Sequence, residues 1–350
     1  MHMAKSNDLY IKILESFKKD ILEGKYPFQS KLPSENELAK ELNISRSTLR
    51  KVLEELNNLG LIESRKGSGS FVCDKGVSRY IPIIIPKSGN NYRFTEIVEG
   101  SSNFFSTVGF SSLLTLADDD PEKEKAVINR LISEGHKNFI IYPTSCDHNS
   151  SFYQQLLRKG YNCVFIDSLP KKITCDYVTS CNFIGGYKAT KKLIDLGHKS
   201  IAFCSTQELD KINTINDRYS GYVSALEQHK INYSEELTYI CNGRSYDEFG
   251  DYIVENLTAT AIFASTDELA VILVNKFANS NKHPAIIGFD NTILSESYNL
   301  TSINQNLYEI GRTAAELLHK RIINPSKNYE HIYVPVTLIK RNSSTKPVNR

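Results

Sequence analysis

The 350-residue sequence lacks several features that mark specialised classes of protein. Its 42 lysine and arginine residues nearly balance 40 aspartate and glutamate residues, so any basic surface for a polyanion must be local. No apolar run approaches the ~18 residues that a membrane-spanning helix needs. No charged segment followed by an apolar one marks a secretory signal. The length and these absences predict a cytoplasmic protein with two or three compact domains.

Cysteines and short motifs exclude further classes. The seven cysteines are odd in number, widely spread and without a C-x-x-C pair, which favours free thiols over disulfides or a metal site. The sequence contains no P-loop, nucleophile elbow or metal-ligand cluster, and Gly67-x-Gly69 lacks the third glycine of a dinucleotide loop. We therefore expect no cofactor, no metal and no catalytic residue. A glycosidase pair of carboxylates stays open as an alternative, because sequence does not give the separation of the two groups.

The first seventy residues predict two short helices joined by a tight turn. In LPSENELAKEL, Ser34 and Glu37 have the spacing of a capping box. In NISRSTLRK, Ser45 is placed to cap the next helix, whose apolar stripe faces inward. The side chains left pointing outward, near the positive end of the helix dipole, are Arg46, Ser47 and Arg50.

A glycine-containing hairpin is predicted directly after these helices. Residues 61–65 and 70–72 alternate in polarity, Gly67 and Gly69 permit a tight turn, and Arg65 and Lys66 stand at its tip. Basic side chains neutralise DNA phosphates, and arginine matches the two acceptors of guanine in the major groove. The alternative is a charged, solvent-exposed helix beside a surface hairpin. The capping box ahead and the basic hairpin behind favour a helix-turn-helix that binds duplex DNA.

Residues 8–72 as a whole resemble the winged helix-turn-helix domain of GntR-family transcription regulators. The resemblance is carried by LPSENELA, ISRSTLRKVLEELNNLGLI and KGSGSFV. Many members have arginine after the PSE element, where this sequence has Asn36. The DNA-binding residues that we predict from the pattern and the resemblance are Ser34, Glu35, Ser45, Arg46, Ser47, Thr48, Arg50, Arg65, Lys66, Gly67 and Ser68.

The rest of the chain predicts an α/β architecture. Short apolar runs such as NFIIYP, NCVFID and PAIIGFD alternate with amphipathic stretches such as GGYKATKKLIDLG. About 270 residues of this pattern exceed one comfortable sheet, so we predict two α/β lobes with a ligand cleft between them. The predicted domains are a winged helix-turn-helix over residues 1–72, a linker over 73–80, and a binding and dimerisation domain over 81–350.

Polar side chains lie where the predicted strands end. Asp167, Asp267, Asp290 and Tyr142 each end or follow a strand, and Arg218 precedes a helix. Carboxylates beside an arginine suit a small polyhydroxylated ligand, because each hydroxyl both donates and accepts hydrogen bonds. For any single aspartate, a helix cap or loop residue is an equal alternative. Aromatic rings placed to stack on the apolar face of a sugar are Tyr92 and Phe94.

From about residue 80 onward the chain resembles the effector-binding domain of LacI-family repressors. The matching segments are CNFIGGYKATKKLIDLGHKSIAF, RYSGY, FASTDELA, IIGFDNT and LTSINQN. The resemblance implies sugar contacts by Arg218, Asp290 and Asp167, and further ones by Tyr92, Asp267 and Gln305. Two positions depart from the family pattern: Cys181 replaces an acidic residue, and Tyr142 stands where an acidic side chain is expected.

The pairing of these two domain types resembles the arabinose-repressor subgroup of bacterial regulators. It implies a repressor that binds palindromic operator DNA as a homodimer and is released by a small sugar, with L-arabinose favoured. Open alternatives are another pentose or hexose, a sugar phosphate, or a sugar that acts as corepressor. A DNA-tethered sugar-processing enzyme and an exported transport protein are rival classes.

Overall fold

A computed structural model describes residues 10, 12–14, 16–17, 20–21, 25–27, 29–58, 61–65, 67–73, 80–87 and 92–347. The chain divides into two compact units, the first holding residues 1–79 and 131–137 and the second holding residues 80–130 and 138–350. Within the described residues, no helix is long and apolar enough to cross a membrane. All seven cysteines are free thiols.

The first unit is a winged helix-turn-helix. Helices α1 (Glu35–Glu41) and α2 (Arg46–Asn58) are followed by the antiparallel strands β1 (Ile62–Arg65) and β2 (Gly69–Val72). The predicted capping box is present: the Ser34 hydroxyl accepts from the Glu37 amide at 3.3 Å, and the Glu37 carboxylate accepts from the Ser34 amide at 2.8 Å. Apolar side chains of both helices and the hairpin form one core, as the helical spacing of leucines in the sequence predicts.

The first lobe of the second unit is a parallel sheet of six strands in the order β13-β7-β6-β5-β3-β4. Its strands are β3 (Tyr80–Pro86), β4 (Ser111–Ala117), β5 (Asn138–Ile141), β6 (Asn162–Ile166), β7 (Asp176–Ser180) and β13 (His331–Val334). The helices are α3 (Tyr92–Thr107), α4 (Pro121–Ser133), α5 (Ser150–Arg158) and α11 (Leu307–Ile323).

The second lobe has the same plan, with the strand order β14-β12-β11-β10-β8-β9 and one antiparallel pair, β12 with β14. Apolar clusters cover both faces of this sheet, as near-continuous hydrophobic strands require. The strands are β8 (Ile201–Ser205), β9 (Thr238–Ile240), β10 (Ala261–Ala264), β11 (Ala285–Asp290), β12 (Thr301–Asn304) and β14 (Thr337–Ile339). The helices are α6 (Asn182–Asp195), α7 (Asn213–Gln228), α8 (Tyr246–Asn256), α9 (Asp267–Ala278) and α10 (Ile293–Ser297).

The chain passes between the two lobes three times. It leaves the first lobe after β7, returns after β12 and crosses again between β13 and β14. The loops at the carboxyl ends of the parallel strands form a cleft between the lobes, which is where open α/β sheets bind ligands. The predicted fold, a winged helix-turn-helix followed by two α/β lobes, is confirmed.

Helices α6 and α7 pack so closely that side chains are excluded at two glycines. A Cβ added at Gly186 would lie 2.0 Å from the Arg218 carbonyl oxygen, and one at Gly221 would lie 2.1 Å from the Phe183 carbonyl oxygen. Both obstacles are backbone atoms, which do not move aside as a side-chain end does. This close contact fixes the height of α7, and therefore of Arg218, above the sheet.

Gly186→Ala is therefore expected to reduce the stability of the protein by about 1–3 kcal/mol, the usual cost of overpacking. It should also weaken ligand binding, because the backbone that carries Arg218 must shift. Thermal melting and ligand titration measure the two effects. Lys191→Ala, on the exposed side of the same helix, is the control and should change neither.

Candidate effector cleft and nucleic-acid interface

Hydroxyl side chains cluster at the N-terminus of α2. The Ser45 hydroxyl accepts a hydrogen bond from the Thr48 amide at 3.1 Å, so it caps the helix as its position predicted. The same hydroxyl lies 2.8 Å from the hydroxyls of Ser47 and Thr48. Three hydroxyls at the positive end of a helix dipole form a suitable surface for a phosphate group.

The two arginines of α2 that are predicted to contact DNA are exposed. Arg46 extends from the first position of the helix, and Arg50 lies one turn later. The Nε atom of Arg50 donates to the Glu35 carboxylate of α1 at 2.9 Å. Because Nε is occupied by Glu35, the two terminal nitrogens of Arg50 remain the donors for a bidentate contact with guanine. Ser34, another residue predicted to contact DNA, precedes α1 and caps it.

The hairpin tip carries the other predicted contacts. Arg65 is exposed, stacks 4.6 Å from the centre of the Phe71 ring and donates to the Glu63 carboxylate at 3.0 Å. Gly67 has a φ of +76°, which is the left-handed conformation that the tight turn was predicted to need. The Ser68 amide closes the turn on the Arg65 carbonyl at 2.9 Å. Lys66 lies outside the described residues.

The cleft between the two lobes has a volume of about 630 Å³. Four of the eight predicted effector residues line it: Phe94, Tyr142 and Asp167 from the first lobe and Arg218 from the second. Three others, Asp267, Asp290 and Gln305, do not belong to its lining. Tyr92 begins α3, and its side chain lies outside the described part of the structure.

Arg218 of α7 is held in place by its surroundings in the second lobe. Its Nε donates to the Asn182 side-chain oxygen at 2.8 Å, and Nη1 donates to the Ser265 carbonyl at 2.6 Å. The guanidinium lies over the Phe289 ring, 3.8 Å from its centre. Such a stacked and hydrogen-bonded arginine is pre-organised, so little entropy is lost when it binds a ligand.

Asp290 and Gln305 link Arg218 to the segments where the chain crosses between the lobes. Arg218 Nη1 is 3.5 Å from an Asp290 carboxylate oxygen, and both side chains are buried. That oxygen accepts from the Gln305 amide, whose own oxygen accepts from the Ser180 hydroxyl at 2.7 Å. Ser180 ends the strand before the first crossing and Gln305 follows the strand before the second. The network therefore connects the arginine of the cleft to the segments that join the two lobes.

Asp167 presents its carboxylate from the first lobe. One oxygen, Oδ2, accepts a hydrogen bond from the Tyr142 hydroxyl, and the Tyr142 ring meets the edge of Phe94 at 5.5 Å. The backbone of Asp167 has a φ of +61°, and that of Asp290 a φ of +118°. Non-glycine residues in this region carry a conformational cost and cluster at functional sites. Both strand-end aspartates are thus held by their surroundings in unusual conformations.

Asp267 has a different environment from the other predicted contacts. It is fully buried at the start of α9, where its carboxylate accepts from the Ser302 hydroxyl at 2.5 Å and from the Thr292 amide at 2.7 Å. These bonds tie the segments that follow β10 and β11 to strand β12. Burial, together with the neighbouring charge of Asp290, raises the pKa of Asp267 from 3.8 to about 7.

This raised pKa predicts a pH-dependent stability with a definite sign. The folded protein keeps a proton on Asp267 that the unfolded chain releases above about pH 4, so stability falls as pH rises from about 4 to about 7 and levels off above. The slope is at most about 1.4 kcal/mol per pH unit. Asp267→Asn should remove this part of the slope. Melting temperatures of both proteins from pH 4.5 to 8 measure it; parallel curves would contradict the assignment.

Asn213 bridges the two lobes at the cleft and was not predicted from the sequence. From the first turn of α7 its side-chain oxygen accepts from the Leu169 amide at 3.0 Å, and its nitrogen donates to the Tyr177 hydroxyl at 3.1 Å. Tyr177 in turn donates to the carbonyl of Asp167. The hydrogen bond of Asn213 to the other lobe thus leads, through Tyr177, to the backbone of Asp167, whose side chain lines the cleft. Asn213 precedes the motif that resembles the LacI family, and nothing in its local pattern distinguishes it from a helix-start residue.

Comparison with known proteins assigns both units. Residues 9–72 match the gntR family of bacterial regulatory proteins, and residues 190–344 match a periplasmic binding protein-like domain. The chain therefore carries a GntR-type winged helix-turn-helix ahead of a LacI-type effector domain, as its sequence motifs predicted.

Two named relatives align with this chain over most of their length. The chain is 28% identical to the arabinose metabolism transcriptional repressor of Geobacillus stearothermophilus, with 96% of this chain and 97% of that protein aligned. It is 27% identical to the protein of the same name from Halalkalibacterium halodurans, with 87% of each aligned. Among solved structures, a LacI family transcriptional regulator from Enterococcus faecium with bound ribose superposes with a TM-score of 0.65 and 27% identity, covering 76% of this chain and 99% of that one.

Proposed function

We propose that this protein is a sequence-specific transcriptional repressor of sugar-utilisation genes that a small sugar, most favourably L-arabinose, releases from its operator. The observation that carries the proposal is the presence in one chain of two sites: exposed Arg46 and Arg50 on a winged helix, and a cleft lined by Asp167 and Arg218. The names of its relatives, arabinose metabolism repressors, support the effector. As a DNA-binding regulator the protein acts in the bacterial cytoplasm.

The charge of the cleft favours a neutral sugar over a sugar phosphate. Its lining contains four carboxylates and only two cationic side chains, and one of these cations, Arg218, lies beside Asp290. A phosphorylated ligand would bring further negative charge against this excess. The charged lining residues are Asp119, Asp147, Asp167, Glu268, Lys211 and Arg218.

We infer a binding protein and not an enzyme, since the named relatives are transcriptional regulators. The expected partner of the chain is a second copy. Edge strand β4 supports this, because Leu114 and Leu116 are almost half exposed on it and offer an apolar surface. A dimer presents two winged helices to a palindromic operator.

Two measurements test these proposals. Genomic fragments retained by the full-length protein should share an inverted repeat, because the two-fold symmetry of the proposed dimer is mirrored in its operator. Thermal melting with a panel of monosaccharides should show stabilisation by L-arabinose, because a ligand that binds only the native state raises its stability. Stabilisation by a different sugar would reassign the effector, and recovery of a chemically altered sugar would show an enzyme.

A further inference from the structure

Two polar atoms on the first lobe are buried beside the cleft without a partner. They are Oδ1 of Asp167 and the hydroxyl oxygen of Thr144; neither has a hydrogen-bond partner among the described residues. Both residues line the cleft, and Asp167 is only 4% exposed. A buried polar atom without a partner is costly, so such atoms in a binding cleft mark positions where a ligand completes the hydrogen bonding.

The position of Thr144 is fixed by a buried carboxylate. Its amide donates to Oε2 of Glu124 at 2.7 Å, and Glu124 is fully buried on α4. Oε1 of Glu124 accepts from the Asn149 side chain at 3.1 Å and from the Tyr153 hydroxyl. These contacts hold the segment after β5 at both ends. The Thr144 hydroxyl is therefore presented by a rigid support, and its lack of a partner does not result from a loose loop.

Asp167 is held in a comparable way. The Tyr142 hydroxyl, from the same segment as Thr144, occupies Oδ2, while the Tyr177 and Thr179 hydroxyls hold the Asp167 carbonyl. Oδ1 is therefore the oxygen of the Asp167 carboxylate that accepts no hydrogen bond from the described residues. An ionised carboxylate only accepts hydrogen bonds, whereas a threonine hydroxyl both donates and accepts.

From these observations we propose that Thr144 and Asp167 Oδ1 form a hydroxyl-binding subsite on the first lobe, opposite Arg218 on the second. The inference rests on the proposed sugar-responsive function and adds Thr144 as a residue that determines specificity. A neutral hydroxyl group satisfies both atoms, because it donates to the carboxylate and exchanges a hydrogen bond with threonine. A phosphate or carboxylate at this position lacks the proton for Asp167 and is repelled by it.

The experiment compares the full-length wild type with Thr144→Val and Thr144→Ser. Valine has nearly the shape of threonine without the hydroxyl, and serine keeps the hydroxyl. Each protein is titrated calorimetrically with L-arabinose, D-ribose and D-xylose, and each is melted without sugar. We expect Thr144→Val to bind the effective sugar roughly tenfold more weakly, the loss typical of one hydrogen bond in a dry site. Thr144→Ser should stay within about threefold of the wild type.

The melting temperatures separate a ligand contact from a structural role. Removing an unpartnered buried hydroxyl should leave the melting temperature of Thr144→Val unchanged or raise it, whereas loss of a structural contact would lower it. Equal sugar affinity of Thr144→Val and wild type overturns the subsite and leaves the proposed function intact. A lowered melting temperature in Thr144→Val overturns it as well. If the wild type binds none of the three sugars, L-arabinose is contradicted as the effector and the subsite is overturned with it.

Discussion

Arg46→Ala should weaken binding to the operator by about 5–150-fold, the equivalent of ~1–3 kcal/mol for one arginine that reads a base. Arg46 is exposed at the first position of α2, beside the hydroxyl cluster of Ser45 and Ser47. Arg46 is not part of the apolar core of this unit, so removal of its side chain should not unfold the domain. Fluorescence anisotropy with labelled operator DNA, at one stated salt concentration, measures the effect.

Two controls decide whether the loss is one of specific recognition. Arg158→Ala removes the same charge from an exposed helix of the effector-binding unit and should leave the affinity within about twofold. Affinity of Arg46→Ala for unrelated DNA should fall much less than its affinity for the operator, because phosphate contacts do not depend on sequence. Sugar binding should be unchanged. Operator affinity equal to that of the wild type would remove α2 from the role of recognition helix.

Arg218→Ala should reduce sugar affinity by at least about 100-fold, because it removes the pre-organised cation that the second lobe presents to the cleft. It should also destabilise the second unit by roughly 3–5 kcal/mol, since Asp290 is then left buried without its opposite charge. Calorimetric titration with L-arabinose and thermal melting measure the two effects.

The double variant Arg218→Ala/Asp290→Asn separates the two effects of this change. It removes the uncompensated carboxylate, so part of the lost stability should return while sugar binding should not. Arg244→Ala, another arginine of the second lobe that stacks on Tyr252, is the matched control and should bind sugar normally. If folded Arg218→Ala bound the sugar as tightly as the wild type, Arg218 would not be an effector contact.

The sequence was most informative where local chemistry alone fixes the structure. The capping box of Ser34 and Glu37, the cap by Ser45 and the left-handed glycine of the hairpin are all interactions within a few residues, and each was found as predicted. The alternation of apolar runs with amphipathic stretches likewise predicted two sheets, because buried parallel strands must be apolar on both faces. Asp167 and Tyr142, both predicted to lie at strand ends, line the same cleft.

Contacts between distant segments were beyond what the pattern shows. Asp267 and Asp167 have the same local pattern, an aspartate at or just after the end of an apolar strand. Asp267 nevertheless joins the segments after β10 and β11 to strand β12, while Asp167 lines the cleft. What distinguishes them is the partner, which lies 25 residues or more away in the chain in both cases. For the same reason Asn213 and Thr144 were missed: their roles depend on neighbours supplied by the other lobe or by a separate helix.

Coupling between the two sites requires that the sugar bind two global states with different affinity. Both the Arg218–Asp290–Gln305–Ser180 network and the bridge from Asn213 to the first lobe connect the cleft walls to elements that must move if the lobes turn. In the proposed dimer, a sugar that favours one orientation of the lobes would thereby favour one arrangement of the two subunits. The reciprocal effect is obligatory: bound operator must weaken sugar binding by the same factor.

The most direct test is the dissociation constant for operator DNA, measured with the wild-type protein in the absence of sugar and at saturating L-arabinose. We predict that the sugar raises this constant by about 5–150-fold, as expected for a coupling of ~1–3 kcal/mol, and that operator DNA weakens sugar binding equally. The constant should stay unchanged in the Arg218→Ala variant. An operator affinity that L-arabinose leaves unaltered, or tightens, would contradict a repressor released by this sugar.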